Sequence, residues 1–343
     1  MAAIAATASS LAQVTMSGAL QYGYSKAATG ITTLGTGAKS DRNHLNIAAN
    51  EDLGGGMNAG VFLQNRFNMQ SGRQSTTFVN ADSGTISDQL WEQSMIYLND
   101  SKLGEVKLGR FSSQLVSVAG AGHFMEDYGT GTHSGTAYGR NSSQFQYTAP
   151  SMSGFQPFIL QAAGNGNKYM TSANSSGFAA GTQTQQANAS FIGFNYVNGP
   201  LKTQITTGAG FNKEKFNIIN AQYTIGTVDF ALNQMNQRTD QYAYNSTVIT
   251  SYAHTSTELG AQTMITPNLS LSISTLVNNK AVTTHADTKR AVSGLRAKYS
   301  LSKRTYFEGY YGSIAQDYGT TTGTAATAGA NGSAYYMGLA HTF

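Results

Sequence analysis

Hydrophobic and polar positions alternate along most of this chain with a period of two. In VTMSGALQYGY, Val14, Met16, Leu20, Tyr22 and Tyr24 share one face. HLNIAA groups Leu45, Ile47 and Ala49, and MNAGVFLQNRF sets Met57, Ala59, Val61, Leu63 and Phe67 against Asn58, Gln64 and Arg66. LKTQITTGAGF and NLSLSISTLV repeat the rhythm, and YYMGLAHTF keeps it to the last residue of the chain. Alternation of this kind predicts β-strands with two unlike faces. The polar face is filled by Ser, Thr, Asn, Gln and Gly instead of the Lys and Glu of a soluble sheet, which favours an enclosed lumen.

The connections alternate in length. Short turns are predicted at 51–56, 99–104, 149–154, 197–200, 224–227, 265–268 and 301–304. Longer polar loops are predicted near 25–41, 70–89, 111–139, 164–186, 238–252, 280–289 and 317–332. Short turns at one rim and long loops at the other characterise outer-membrane barrels. The segments number 16, with 18 as the alternative if a weak strand lies near 238–254. The expected fold is therefore all-β, a 16-stranded antiparallel transmembrane β-barrel. In hydrocarbon each unpaired backbone group costs several kcal/mol, so the last strand must pair with the first.

Composition sharpens this picture. Only 11% of the 343 residues are charged, less than half the roughly 25% of an ordinary soluble domain. No stretch approaches the ~18 uninterrupted apolar residues of a membrane helix. There is no cysteine, which excludes disulfides and cysteine-ligated metals. The net charge of +4 forms no basic run, so nucleic acid is excluded as a partner. Residues 1–13, MAAIAATASSLAQ, read as a signal-peptide remnant cleaved after Ala12, or else as a disordered N-terminal tail; 14–343 is the barrel domain.

Five stretches resemble the general diffusion porins of β-proteobacteria: NEDLGGGMNAGVF at 50–62, LGEVKLGR at 103–110, GRNSSQFQYTAPSMSGF at 139–155, YSLSKRTYFEGYY at 299–311 and GLAHTF at 338–343. The resemblance implies a Gram-negative outer-membrane channel, a homotrimer, and a third loop folded into the lumen. It also implies that the closing strand, with Tyr335, Met337, Leu339, His341 and Phe343 on one face, is the signal read by the barrel-assembly machinery. Outer-membrane lipid and lipopolysaccharide are the expected surroundings, and small hydrophilic solutes and ions the expected cargo.

A barrel of this size encloses water, and its selectivity depends on charged side chains at the narrowest section. The third loop would be 111–139, whose MEDY brings Glu126 and Asp127 together. On the wall, parity selects Arg42 with His44, Arg66 with Gln64, Arg140, and Arg296 with Lys298. A lipid-facing cation at mid-depth costs ~2–4 kcal/mol, which favours the inward assignment. Some of these residues, Lys202 among them, can equally be read as rim groups. Relatives commonly carry arginine where this chain has His44 and Glu92, and glutamate where it has Gln64. The expected channel is therefore weakly selective, with a slight anion preference.

A barrel enzyme is the rival class, and it would need a base held beside a nucleophile. The six histidines are scattered, and no HExxH or G-x-S-x-G pattern is present. A sugar- or dicarboxylate-specific channel is the second alternative. No cofactor or metal site is expected.

Overall fold

In the computed structural model, the described residues are 13–26, 32–35, 43–69, 72, 90–112, 143–163, 188–210, 215–244, 248–282, 285–318 and 332–343. The first half contains β1 (Gln13–Lys26), β2 (Thr32–Gly35), β3 (His44–Gly54), β4 (Met57–Arg66), β5 (Gln93–Asp100), β6 (Gly104–Arg110), β7 (Gln144–Thr148) and β8 (Phe155–Ala162). The second half contains β9 (Ala189–Asn198), β10 (Leu201–Ala209), β11 (Lys215–Ile225), β12 (Val228–Tyr244) and β13 (Val248–Thr266). It ends with β14 (Leu269–Val282), β15 (His285–Ser300), β16 (Thr305–Tyr318) and β17 (Gly332–Thr342). Among the described residues there is no helix.

From β3 onward each strand pairs antiparallel with the next in sequence, and β1 joins β3 to β17. Sixteen strands thus close a ring, as the alternation predicts. The seventeenth segment, β2, pairs only with the upper part of β1, opposite Gly23–Lys26, and it lies inside the predicted loop 25–41. At the seam Ala19 stands opposite Thr342 and Lys26 opposite Tyr335. One step further, Gly18 and Phe343 exchange both backbone hydrogen bonds, at 3.0 and 3.1 Å. The ring consequently leaves no open edge for lipid to meet.

All seven predicted short turns are present, at 55–56, 101–103, 153–154, 199–200, 226–227, 267–268 and 301–304. Two predicted loops are not loops. Residues 238–252 and 280–289 belong largely to the far ends of β12, β13, β14 and β15, which run 14 to 19 residues. A strand of ~9–11 residues already spans the bilayer, so these four project beyond it. There the sequence alternation ends, although the backbone ladder continues. The possible extra strand near 238–254 is these same residues, which removes the reading with 18 strands. β10 ends at Ala209 and β11 starts at Lys215, and a connection between them is not among the predicted loops.

The outward face is apolar and bare: Val14, Met16, Ile96, Ile192, Ile273 and Met337 are all more than half exposed. Such a surface suits hydrocarbon and would be a liability in water. The inward face is mostly polar; among the described residues its largest apolar patch lies on β8–β12, formed by Leu160, Ala162, Ala189, Phe191, Phe216, Ile218 and Met235, onto which Phe111 also packs, with smaller clusters at Leu276–Val292 and Tyr310–Tyr336. Phe111 reaches it through a break in the rhythm of β6. Gly109 has φ +122°, and a Cβ there would strike the Ser94 carbonyl. After it, the adjacent Arg110 and Phe111 are both buried, which a regular strand does not allow. Of the expected tail 1–13, only Gln13 lies within the described residues, as the first residue of β1.

Candidate pore wall

Among the described residues the inner wall carries two arginine-containing charged stations at different heights, besides a Lys107–Glu105 ion pair at 2.7 Å on β6. The first spans β3–β6 and reaches Ser112. His44 and Arg66 stand directly opposite each other across β3 and β4. Gln64 Nε2 donates to Asn46 Oδ1 at 3.0 Å, and Gln93 Nε2 donates to Gln64 Oε1 at 2.8 Å. Gln93 Oε1 in turn accepts the Ser112 backbone N–H at 2.8 Å. Arg66 Nε forms an ion pair with Glu92 Oε2, and Arg110 Nε donates to the Glu92 carbonyl at 3.0 Å. Each amide both donates and accepts, so the network holds its members in one arrangement.

The second station lies on β15 and β16, near the 301–304 turn. Arg296 Nη2 donates to Glu308 Oε2 at 2.7 Å. Lys298 is the cross-strand neighbour of Glu308, and its Nζ sits 3.9 Å from the centre of the Tyr306 ring. Two cations therefore flank one carboxylate, and the station carries a net positive charge. In both stations the carboxylate is the deeper partner. The Glu92 and Glu308 side chains are 5% and 0% exposed, against 13% for both Arg66 and Arg296.

Between these stations the wall is nearly neutral. Gln156, Asn195, Gln204, Asn220, Asn233 and Glu258 pair directly, each with the next, across six consecutive strands from β8 to β13. This row results from parity and register together, since the six residues are scattered over a hundred positions of sequence.

His44, Gln64, Arg66, Arg296 and Lys298 lie on the inward faces of β3, β4 and β15, and the buried Glu92 lies in the bend just before β5. Register brings His44, Gln64, Arg66 and Glu92 into one station and Arg296 and Lys298 into another. Arg42, Glu126, Asp127 and Arg140 lie outside the described residues. Lys202 is exposed near the 199–200 turn, on the same face of β10 as the buried Gln204 and Thr206. Sequence reasoning missed Arg110, Gln93, Glu258 and Glu308. The alternation of TYFEGYY already puts Glu308 on the face of Tyr306 and Tyr310, but its bond to Arg296 depends on register. Among the described residues no three His, Asp or Glu side chains are grouped to hold a metal.

Known proteins agree with this architecture. OmpT of Vibrio cholerae in its trimer form superposes with TM-score 0.69 at 14% identity, covering 97% of this chain and 100% of that one. An anion-selective porin from Comamonas acidovorans gives 0.66 at 19% identity, covering 97% and 100%. OmpF of Salmonella typhi, solved with daunomycin, gives 0.64 at 13% identity, covering 96% and 97%. No curated protein matches the chain. The family profile described as Gram-negative porin matches residues 1–320. With a closed outer-membrane barrel and a polar bore behind that match, the chain belongs to the Gram-negative porin family and is a diffusion channel of the outer membrane.

Proposed function

We propose that this porin is a general diffusion channel for small hydrophilic solutes and ions, weakly selective with a slight anion preference. The observation that carries this reading is the depth order of the two arginine–glutamate pairs, Arg66–Glu92 and Arg296–Glu308; the Lys107–Glu105 pair on β6 has both partners similarly exposed, at 23% and 28%. Each carboxylate is sealed against the wall while its arginine keeps the greater contact with the bore. A passing ion therefore meets the guanidinium first. The charges nearly cancel, and in water opposite charges 4 Å apart interact by only ~1 kcal/mol, so the bias is small.

In this proposal the segment 111–139 narrows the lumen, and Glu126 and Asp127 face Arg42, Arg66 and Arg140. What supports it is the apolar patch on β8–β12, an unusual feature for a wetted wall, with Phe111 seated on it at the start of the segment. The closing strand, with Tyr335, Met337, Leu339, His341 and Phe343 exposed on its outward face, is proposed as the assembly signal. A homotrimer is proposed by analogy with the trimeric OmpT neighbour. We assign the chain no catalytic activity, because family and fold point to a channel.

Planar-bilayer recording tests the reading. Stepwise conductance is expected, with a reversal potential in a salt gradient displaced slightly towards anions and no saturation by a sugar or dicarboxylate. Strong cation preference would overturn the selectivity claim. Saturation by one solute would favour a specific channel. Lipid hydrolysis without conductance would favour an enzyme.

A further inference from the structure

We propose that Gln93 is a positioning residue that sets the ion preference of the channel through Arg66, by tying that arginine to the backbone just past β6. The proposal rests on the reading that Arg66 meets passing ions.

One peptide unit past β6 is gripped from two sides. Gln144 Nε2, on β7, donates to the Phe111 carbonyl at 2.8 Å, and Gln93 Oε1, at the start of β5, accepts the Ser112 N–H at 2.8 Å. Both glutamines are buried. The carbonyl of Phe111 and the N–H of Ser112 belong to the same peptide bond, so both of its polar groups are committed. Gln144 Oε1 meets no donor among the described residues, so that amide is oriented by Phe111.

A backbone N–H can only donate and a carbonyl can only accept. This peptide therefore dictates which way round each neighbouring amide sits. With its oxygen committed to Ser112, Gln93 presents Nε2 to Gln64 Oε1, at 2.8 Å. Gln64 is left to offer its own Nε2 to Asn46 Oδ1 at 3.0 Å, and Asn46 Nδ2 donates in turn to Ser17 Oγ at 3.3 Å. These residues pair directly across β5, β4, β3 and β1, so register brings them into line. Each donor points the same way, towards β1, and bonds in such a chain reinforce one another.

The consequence falls on Arg66. Its Nε carries a single hydrogen, shared between Gln64 Oε1 at 3.3 Å and Glu92 Oε2. Were the Gln64 amide reversed, its NH2 would face the guanidinium and repel it. The relay keeps an acceptor there and stops Glu92 from claiming Arg66 entirely. A charged acceptor is the stronger of the two. Without the relay, Arg66 settles onto Glu92, whose side chain is the deeper, and the bore loses part of its exposed positive charge.

Full-length folded protein in planar bilayers tests this with the uncharged, similarly sized replacements Gln93→Met, Gln64→Met and Gln144→Met. Gln93→Met and Gln64→Met should each lower the anion-to-cation permeability ratio by about 1.5-fold at moderate salt. The double variant should lower it no further, because both substitutions cut the same chain. Gln144→Met should give a smaller shift of the same sign, and none in the Gln64→Met background. The temperature at which the folded band is lost on gels is read alongside. Variants that unfold earlier but keep the parental reversal potential would reduce the relay to a structural feature and overturn the proposal. Additive shifts in the double variant would overturn it as well, since the two amides would then act separately. Arg66→Gln separates the two levels of the claim. If it lowers the ratio while Gln93→Met does not, the relay alone fails; if it leaves the ratio unchanged, the reading of Arg66 fails and the proposal with it.

Discussion

Gly18→Val should leave the barrel poorly closed, with the folded band on unheated gels converting to the unfolded form roughly 10 °C lower than in the parent. The expectation rests on a crowded seam. A Cβ at Gly18 would lie within 2.5 Å of both the His44 carbonyl oxygen and the Phe343 ring. The first belongs to β3 and cannot turn away, so β1 must shift. That shift stretches the two backbone hydrogen bonds between Gly18 and Phe343. Overpacking costs ~1–3 kcal/mol, and each weakened bond adds about 1 kcal/mol, more where lipid replaces water. Gly18→Ala should fall between parent and valine variant. Deleting Phe343 should also lower the conversion temperature, because Gly18 then loses both bonds. A valine variant that converts at the parental temperature would show that seam packing does not limit stability.

The second large effect concerns selectivity. Glu308→Gln should displace the reversal potential towards anions, with the anion-to-cation permeability ratio rising about two- to threefold at moderate salt. Glu308 stands between Arg296 and Lys298, so its replacement doubles the net positive charge of that station. Glutamine still accepts the Arg296 Nη2 hydrogen, so the wall geometry is kept and the change is mainly electrostatic. Screening explains why the effect is bounded: at 0.1 M salt, charges more than ~10 Å from an ion's path contribute little. An unchanged or cation-shifted potential in Glu308→Gln would show that this station does not influence the permeating ion.

Much of this architecture could be read from alternation because lipid and water impose opposite demands on neighbouring residues. Leu45 and Asn46, or Met337 and Gly338, announce their faces without any knowledge of their partners. The short turns were legible for the same reason, since each falls where the rhythm resets. Three things were hidden. Where β12 to β15 rise beyond the membrane, lipid no longer tells one face from the other, and 239–244 and 248–252 lose their period although both are strand. The inward seat of Phe111 depends on the backbone turn at Gly109, which composition does not reveal. Ion-pair partners were also hidden, because Arg296 and Glu308, or Arg66 and Glu92, meet only once the register is known.

Closure of the ring is the claim on which the hydrated bore depends, and paired cysteines test it directly because the chain contains none. Gln21 and Ala340 are directly opposite across β1 and β17, both facing inward. Gln21→Cys/Ala340→Cys is expected to form its disulfide nearly completely in membrane-embedded protein under mild oxidation. The slipped pair Gln21→Cys/Leu339→Cys, whose side chains face opposite sides of the wall, should stay reduced. No bond in the first pair, or equal bonding in the second, would contradict the closed barrel.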